Sequence, residues 1–206
     1  MSDHSAPMNL THHFLIAMPG LEDASSFFSR SVVYLCEHSE RGALGLVINK
    51  PMGIKLGGLL EKVDLTLGRQ DLSEAPVFHG GPLQTERGFV LHDAMKPAHV
   101  GGVEGEGEAS PYASTMSIAG GLEMTTSKDV LEALSHGAGP RRVLVTLGYA
   151  SWAEGQLESE LAENSWLTVE ADPQVIFDAP VRERYDRALA LLGLQSWTLS
   201  PEAGRA

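Results

Sequence analysis

The sequence predicts an α+β fold in a single domain, and three observations carry that prediction. Short runs rich in aliphatic and β-branched residues recur from residue 14 to residue 177, several of them joined by tight glycine-containing turns. Helical stripes fall between these runs without the regular strand–helix–strand alternation of a doubly wound fold. A length of 206 residues, with no internal repeat and no long linker, fits one domain. At this size roughly 70 % of the unfolded surface can be buried, so a core forms without a metal or disulfide staple. Hydrophobic residues at 43 %, charged residues at 20 % and a mean hydropathy of −0.06 exclude disorder, collagen and coiled coil.

Taken in chain order, residues 14–18 read as a strand closed by Pro19-Gly20. Residues 31–37 and 43–49 are apolar nearly throughout and flank the polar turn 38–42. They read as a hairpin covered on both faces, ended by Pro51, which has no N–H to give a ladder. Leu56, Leu59, Leu60 and Val63 recur at i, i+3, i+4, i+7, the spacing of a short amphipathic helix. Residues 76–79 and 88–92 read as strands on either side of a turn holding Gly80-Gly81-Pro82, and 113–119 with 122–126 as a second hairpin through Gly120-Gly121. Thr126 to Asp129 supply the hydroxyl and carboxylate of a helix N-cap, and Val130, Leu131 and Leu134 follow helically to Gly137.

Residues 142–150 form the longest strand-like run, and residues 154–164 a helix with Leu157 and Leu161 on one face. Residues 166–170 and 175–177 read as strands. Val181, Tyr185, Ala188, Leu189 and Leu192 make a helical stripe entered at Pro180 and left at Gly193. The sum is a curved mixed sheet with three or four helices. Residues 1–9 and 196–206 are expected to be flexible tails. Residues 93–112, where Gly101, Gly102, Gly105 and Gly107 are interleaved with Glu104, Glu106 and Glu108, are expected to be a mobile loop.

A single cysteine excludes an intramolecular disulfide and any thiolate-built metal site, as befits a reducing cytosol. The first ten residues lack the basic region and long apolar run of a secretory signal. The apolar stretch 14–18 is far below the roughly 20 residues that span a bilayer. A cytoplasmic protein with no membrane association is expected. Fifteen basic against 27 acidic side chains give a net charge of −12, which repels polyanions. Duplex DNA binding rests on Lys and Arg neutralising phosphates, and only Arg141-Arg142 and the Arg182, Arg184, Arg187 group are offered. Residues 151–206 carry 4 basic and 10 acidic side chains, so direct nucleic-acid binding is disfavoured.

Seven ordered blocks resemble a known family. They are Phe14-Leu15-Ile16-Ala17-Met18-Pro19; Ser31 to His38; Gly42 to Pro51; Phe78-His79-Gly80-Gly81-Pro82; Arg87-Gly88-Phe89-Val90-Leu91-His92; Thr126 to Leu131; and Gly148-Tyr149-Ala150 followed by Gly155-Gln156-Leu157-Glu158. Together they closely resemble the bacterial AlgH/YqgE family from about Asn9 to Phe177. The resemblance implies a cytosolic α+β protein whose bifurcated sheet curls into a pseudo-barrel. One member group carries the label of a transcriptional regulator of alginate production, and the family as a whole has no established enzymatic activity, substrate or metal. Ser151-Trp152 stands where members usually show Gly-Trp, and the Gly/Glu segment varies in length; neither departure bears on the fold.

Among residues that carry chemistry, His79-Gly80-Gly81-Pro82 is the sharpest feature. Glycines after a strand can present successive backbone N–H groups to an anion, with His79 and Arg87 completing a pocket for phosphate or carboxylate. The same residues also make a tight structural turn. Asn49, at the neighbouring strand end with Lys50 and Pro51, joins His79, Gly80, Gly81 and Arg87 as a ligand-binding candidate. The expected role is a binding or regulatory module for a small anionic ligand or another protein. An enzyme reading competes with it: a hydrolase or transferase with His79 or His92 as general base and Arg87 as electrophile. A DNA-binding regulator is a third reading, opposed by the net charge. No Gly-x-Ser-x-Gly elbow and no nucleotide fingerprint occurs. No catalytic residue, cofactor or metal is assigned: Cys36 reads as an inert thiol in a buried strand, and the histidines show no ligand spacing.

Overall fold

A computed structural model describes residues 8–19, 27–95 and 110–199. The glycine- and glutamate-rich stretch 96–109, and most of both expected tails, lie outside them. Among the described residues there are ten strands: β1 (His13–Ala17), β2 (Val32–Ser39), β3 (Gly42–Val47), β4 (Pro51–Lys55), β5 (Pro76–His79), β6 (Leu83–Asp93), β7 (Thr115–Ile118), β8 (Leu122–Thr125), β9 (Val143–Ala153) and β10 (Trp166–Glu170). Five α-helices accompany them among the described residues: α1 (Leu56–Glu61), α2 (Asp129–Ser135), α3 (Gln156–Ala162), α4 (Pro173–Phe177) and α5 (Arg184–Ala190). The α+β class and the single curled sheet are as expected. The helices number one more than the upper expectation.

The sheet runs β10-β1-β2-β3-β9-β6-β8-β7 as a half-barrel of antiparallel pairs. It divides at β9. One edge of β9 carries β6. Along the other edge, β5 lies parallel beside Val145 to Leu147, and β3 lies antiparallel beside Ala150 to Ala153. Val47 N–H donates to Gly80 O at 2.8 Å, which holds the two branches together where they meet.

Alternation along the strands sorts the core. In β2, Val32, Tyr34 and Cys36 face one cluster, which α4 and α5 fill through Val175, Ile176, Tyr185, Ala188 and Leu189. Val33 and Leu35 face the opposite cluster, closed by Leu157 of α3 with Trp152 and Trp166. Both faces of this strand are therefore dry, as its unbroken apolar run predicts. A third cluster joins Val77, Val90 and Val145 to Leu56 and Leu60 of α1 and to Val130 and Leu134 of α2.

Several elements differ from the sequence expectation: β6 begins at Leu83, inside the stretch read as a turn, and α2 starts after Lys128 with no side-chain cap at its N-terminus. Pro51 does not simply stop a strand; it opens β4, opposite Phe78, at a first position where no N–H is needed. Residues 175–177, read as a strand, belong to α4. Asp172 caps that helix by accepting from Gln174 N–H at 2.9 Å, and Pro173 occupies its first turn. Three consecutive apolar residues are too few to distinguish the two periods, so the cap decides. No helix among the described residues is long and apolar enough to cross a membrane.

Candidate functional site

The site begins at the point where the sheet divides. Gly80 and Gly81 are buried against β9, so closely that a Cβ on Gly81 would stand 2.0 Å from the Tyr149 carbonyl carbon and one on Gly80 would stand 2.2 Å from Gly148 O. Only glycine permits that approach. The N–H of Gly80 is engaged with Leu147 O at 2.9 Å, so the pair serves first to seat β5 on β9.

His79 is exposed, and its N–H donates to Lys50 O at 2.8 Å. Arg87 is exposed on the Gln84 to Arg87 bulge of β6, where its guanidinium donates to Thr126 Oγ1 at 3.2 Å and lies 5.8 Å from the Phe89 ring centre. His79 and Arg87 do not converge. Arg87 shares its face with Phe89, and Phe89 packs in the same cluster as Phe78. His79 follows Phe78 in the strand and so points to the other face, with Val77. The structure therefore brings Asn49, Lys50, His79, Gly80 and Gly81 together at one junction and leaves Arg87 apart from His79.

Asn49 has a backbone task. Its Oδ1 accepts from Val32 N–H at 2.9 Å and its Nδ2 donates to Arg30 O at 2.8 Å. The carbonyl it holds belongs to a residue at positive φ, 52°, so Asn49 fixes where Arg30 leaves the chain. That placement opens a cavity of about 480 Å³ lined by Arg30, Asn49, Lys50, Pro51, Arg182 and Tyr185, among others. Three cations thus meet at one opening in a chain of net charge −12. Among the described residues the nearest carboxylate to any of them is Asp186, 4.0 Å from Arg30. The Arg30 guanidinium lies over the Tyr185 ring at 4.5 Å, and burial pulls the Lys50 ammonium below its ordinary pKa.

Behind this wall lies Arg184, which is 5 % exposed. Its Nη1 donates to Ile48 O at 2.5 Å, its Nε donates to Ala179 O at 3.1 Å, and the guanidinium covers the Phe78 ring at 4.9 Å. Burial lowers its pKa to about 10. The spacing of Arg182 and Arg184 is visible in the sequence; the convergence of Arg30, Lys50 and Arg182 across more than 150 residues is not.

Two histidines, His92 and His38, have both ring nitrogens engaged by neighbouring protein atoms. His92 is buried, with Nδ1 at 2.7 Å from Asp93 O and Nε2 at 2.9 Å from Thr125 Oγ1. His38 was not singled out by sequence, yet it stands 2.8 Å from Glu158 Oε1 beside a second cavity of about 460 Å³. Its Nδ1 accepts from Leu10 N–H at 2.9 Å, which leaves Nε2 to donate to the carboxylate. Both ring nitrogens are spent on holding the chain entry to α3. Burial, with Glu37 adding to it, pushes the Cys36 thiol pKa up. No group of three or more His, Cys, Asp or Glu residues among those described is arranged to hold a metal ion.

Fold and site together define a half-barrel α+β protein with a small basic cavity where the sheet divides. The chain belongs to the AlgH-like family (DUF179), whose family model matches residues 14–197. It is 78 % identical over 206 residues to a UPF0301 protein of Acidovorax sp. strain JS42, and 73 % identical over 207 residues to one of Delftia acidovorans, all of each chain being covered. The solution structure of the AlgH protein from Pseudomonas aeruginosa is similar over the whole of both chains, with 44 % identity and a TM-score of 0.71. A crystal structure from Corynebacterium diphtheriae shares the fold at 19 % identity and a TM-score of 0.65, over 87 % of this chain and 85 % of that one.

Proposed function

We propose that this protein is a recognition module for a small anionic ligand, held in the cavity bounded by Arg30, Lys50 and Arg182. The observation that supports it is the meeting of three cations at one concave opening on a strongly acidic chain, with one carboxylate, Asp186, within ion-pair distance of them among the described residues. Asn49 contributes by orienting Arg30, and the His79-Gly80-Gly81 junction by fixing Lys50. Arg87 is outside this reading. A volume of about 480 Å³ suits a small molecule. Any influence on transcription is then indirect, exerted through the ligand-bound state, because the overall charge opposes DNA.

A thermal-shift titration with inorganic phosphate and with citrate, at constant ionic strength, tests this. A ligand at 100 times its Kd adds about 2.7 kcal/mol, or about 5–10 °C in a domain of this size. The shift is expected in the wild type and lost in the Lys50→Ala/Arg182→Ala double variant. An unchanged melting midpoint with both anions overturns the proposal.

A further inference from the structure

We infer that the same cavity selects phosphate monoesters over singly charged anions, because the uncompensated guanidinium of Arg184 behind its wall adds a fourth positive charge that a monoanion cannot balance. The inference rests on the anion-binding reading above and narrows its ligand class.

Arg184 makes the case. A buried cation is ordinarily paired with a carboxylate, since taking an ion out of water costs several kcal/mol. Here the acceptors are neutral: two backbone carbonyls and an aromatic face. Among the described residues no carboxylate lies within salt-bridge distance of Arg184. Its place in the fold ties it to the cavity. It sits between Arg182 and Tyr185 in sequence, both of which line the opening, and its Nη1 is anchored on Ile48, the residue before Asn49 and Lys50. Charge in a poorly solvated interior is felt over a longer range than charge in water. The anion that enters therefore meets Arg30, Lys50 and Arg182 directly and the field of Arg184 from behind, against one carboxylate within ion-pair distance among the described residues, Asp186.

A carboxylate brings one negative charge and a phosphodiester one. A phosphate monoester brings about −1.5 to −2 at neutral pH, with three acceptor oxygens to serve three donor heads. Arg184, which does not line the cavity, is a positioning residue for charge; Arg30, Lys50 and Arg182 make the contacts. The rim supplies the apolar surface of Pro51 and Val181, which suits the organic part of a small monoester.

Isothermal titration of the full chain with methyl phosphate, dimethyl phosphate and acetate at equal ionic strength tests the inference. The expected result is a Kd for methyl phosphate at least ten times lower than for either monoanion. Arg184→Met should narrow that ratio below about threefold, and Arg184→Lys, which keeps the charge, should retain it; circular dichroism verifies the fold of each. A role for Arg184 in packing alone would move stability and leave the ratio unchanged, and that result overturns its assignment. Equal affinities for the three anions in the wild type overturn the selectivity and leave the anion-binding reading standing. No binding of any anion, or binding unaltered in Lys50→Ala/Arg182→Ala, overturns both. If Arg184→Met does not fold, the wild-type ratio and Arg184→Lys decide.

Discussion

Replacing Gly81 by alanine tests whether the glycine pair at the sheet junction is there for the backbone or for a ligand. An alanine Cβ would meet the Tyr149 carbonyl carbon at 2.0 Å, its oxygen at 2.1 Å and Ala150 N at 2.3 Å, all of them backbone atoms of the central strand that cannot swing aside. The turn must instead withdraw from β9. That movement strains Gly80 N–H to Leu147 O and Val47 N–H to Gly80 O, bonds of 2.9 and 2.8 Å at buried positions. Losing each costs about 1 kcal/mol, and overpacking adds about 1–3 kcal/mol. The expected penalty of about 3–5 kcal/mol is a large share of the roughly 5–15 kcal/mol that holds a domain folded. It corresponds to a melting midpoint lower by about 10 °C. Gly88 is the control: a Cβ there meets nothing within 4 Å, so Gly88→Ala should leave stability unchanged or slightly raised. Urea titrations followed by circular dichroism measure both variants. Matching midpoints for Gly81→Ala and Gly88→Ala would refute the close-approach argument. Unchanged stability with a lost anion response would instead make the glycines part of the ligand's surroundings.

Two more outcomes can be checked on the same preparations. Glu160 Oε2 accepts from both Trp152 Nε1 at 2.9 Å and Trp166 Nε1 at 2.7 Å, so Glu160→Ala leaves two buried indole donors unsatisfied; the expected loss is about 2–4 kcal/mol in urea unfolding followed by tryptophan emission, and a loss under about 1 kcal/mol would show that the indoles find other acceptors. Stability should also fall in acid. The Glu158 carboxyl is held below its ordinary value by the bond from its own backbone N–H and then by His38. For Asp129, burial pushes upward, but the Ser127 hydroxyl and the N–H groups of Ala113 and Val130 outweigh it and leave the pKa lowered. Groups whose folded pKa is depressed contribute fully above the unfolded value, near 4, and lose that contribution as pH falls through the folded value. Urea midpoints measured from pH 7 to pH 2.5 should therefore decline below about pH 4, with a shallower decline in Asp129→Asn; identical slopes would remove Asp129 from the account.

Local chemistry decided most of the architecture. The unbroken apolar runs of β2 and β3 announced strands covered on both faces, and the i, i+3, i+4 spacing of Leu56, Leu59 and Leu60 announced α1. Signals of this kind are written in residues close together in the chain, so a sequence reading reaches them. It failed where two local rules competed, as at Pro51, which can open a strand as well as close one, and at Val175 to Phe177, where the cap and not the apolar run carried the information.

The candidate site is a different matter. His79-Gly80-Gly81 was legible as an unusual turn, but whether its N–H groups faced a ligand or the central strand depended on the position of Tyr149, 68 residues away. Alternation along β5 and β6 separated His79 from Arg87, although the two lie only eight positions apart. Arg30, Lys50, Arg182 and Arg184 come from distant segments and become neighbours only because α5 packs into the open side of the half-barrel beside the end of β3. Spacing along a chain records what a strand or helix will do; which charges share a cavity is set by how the sheet curls and what fills it.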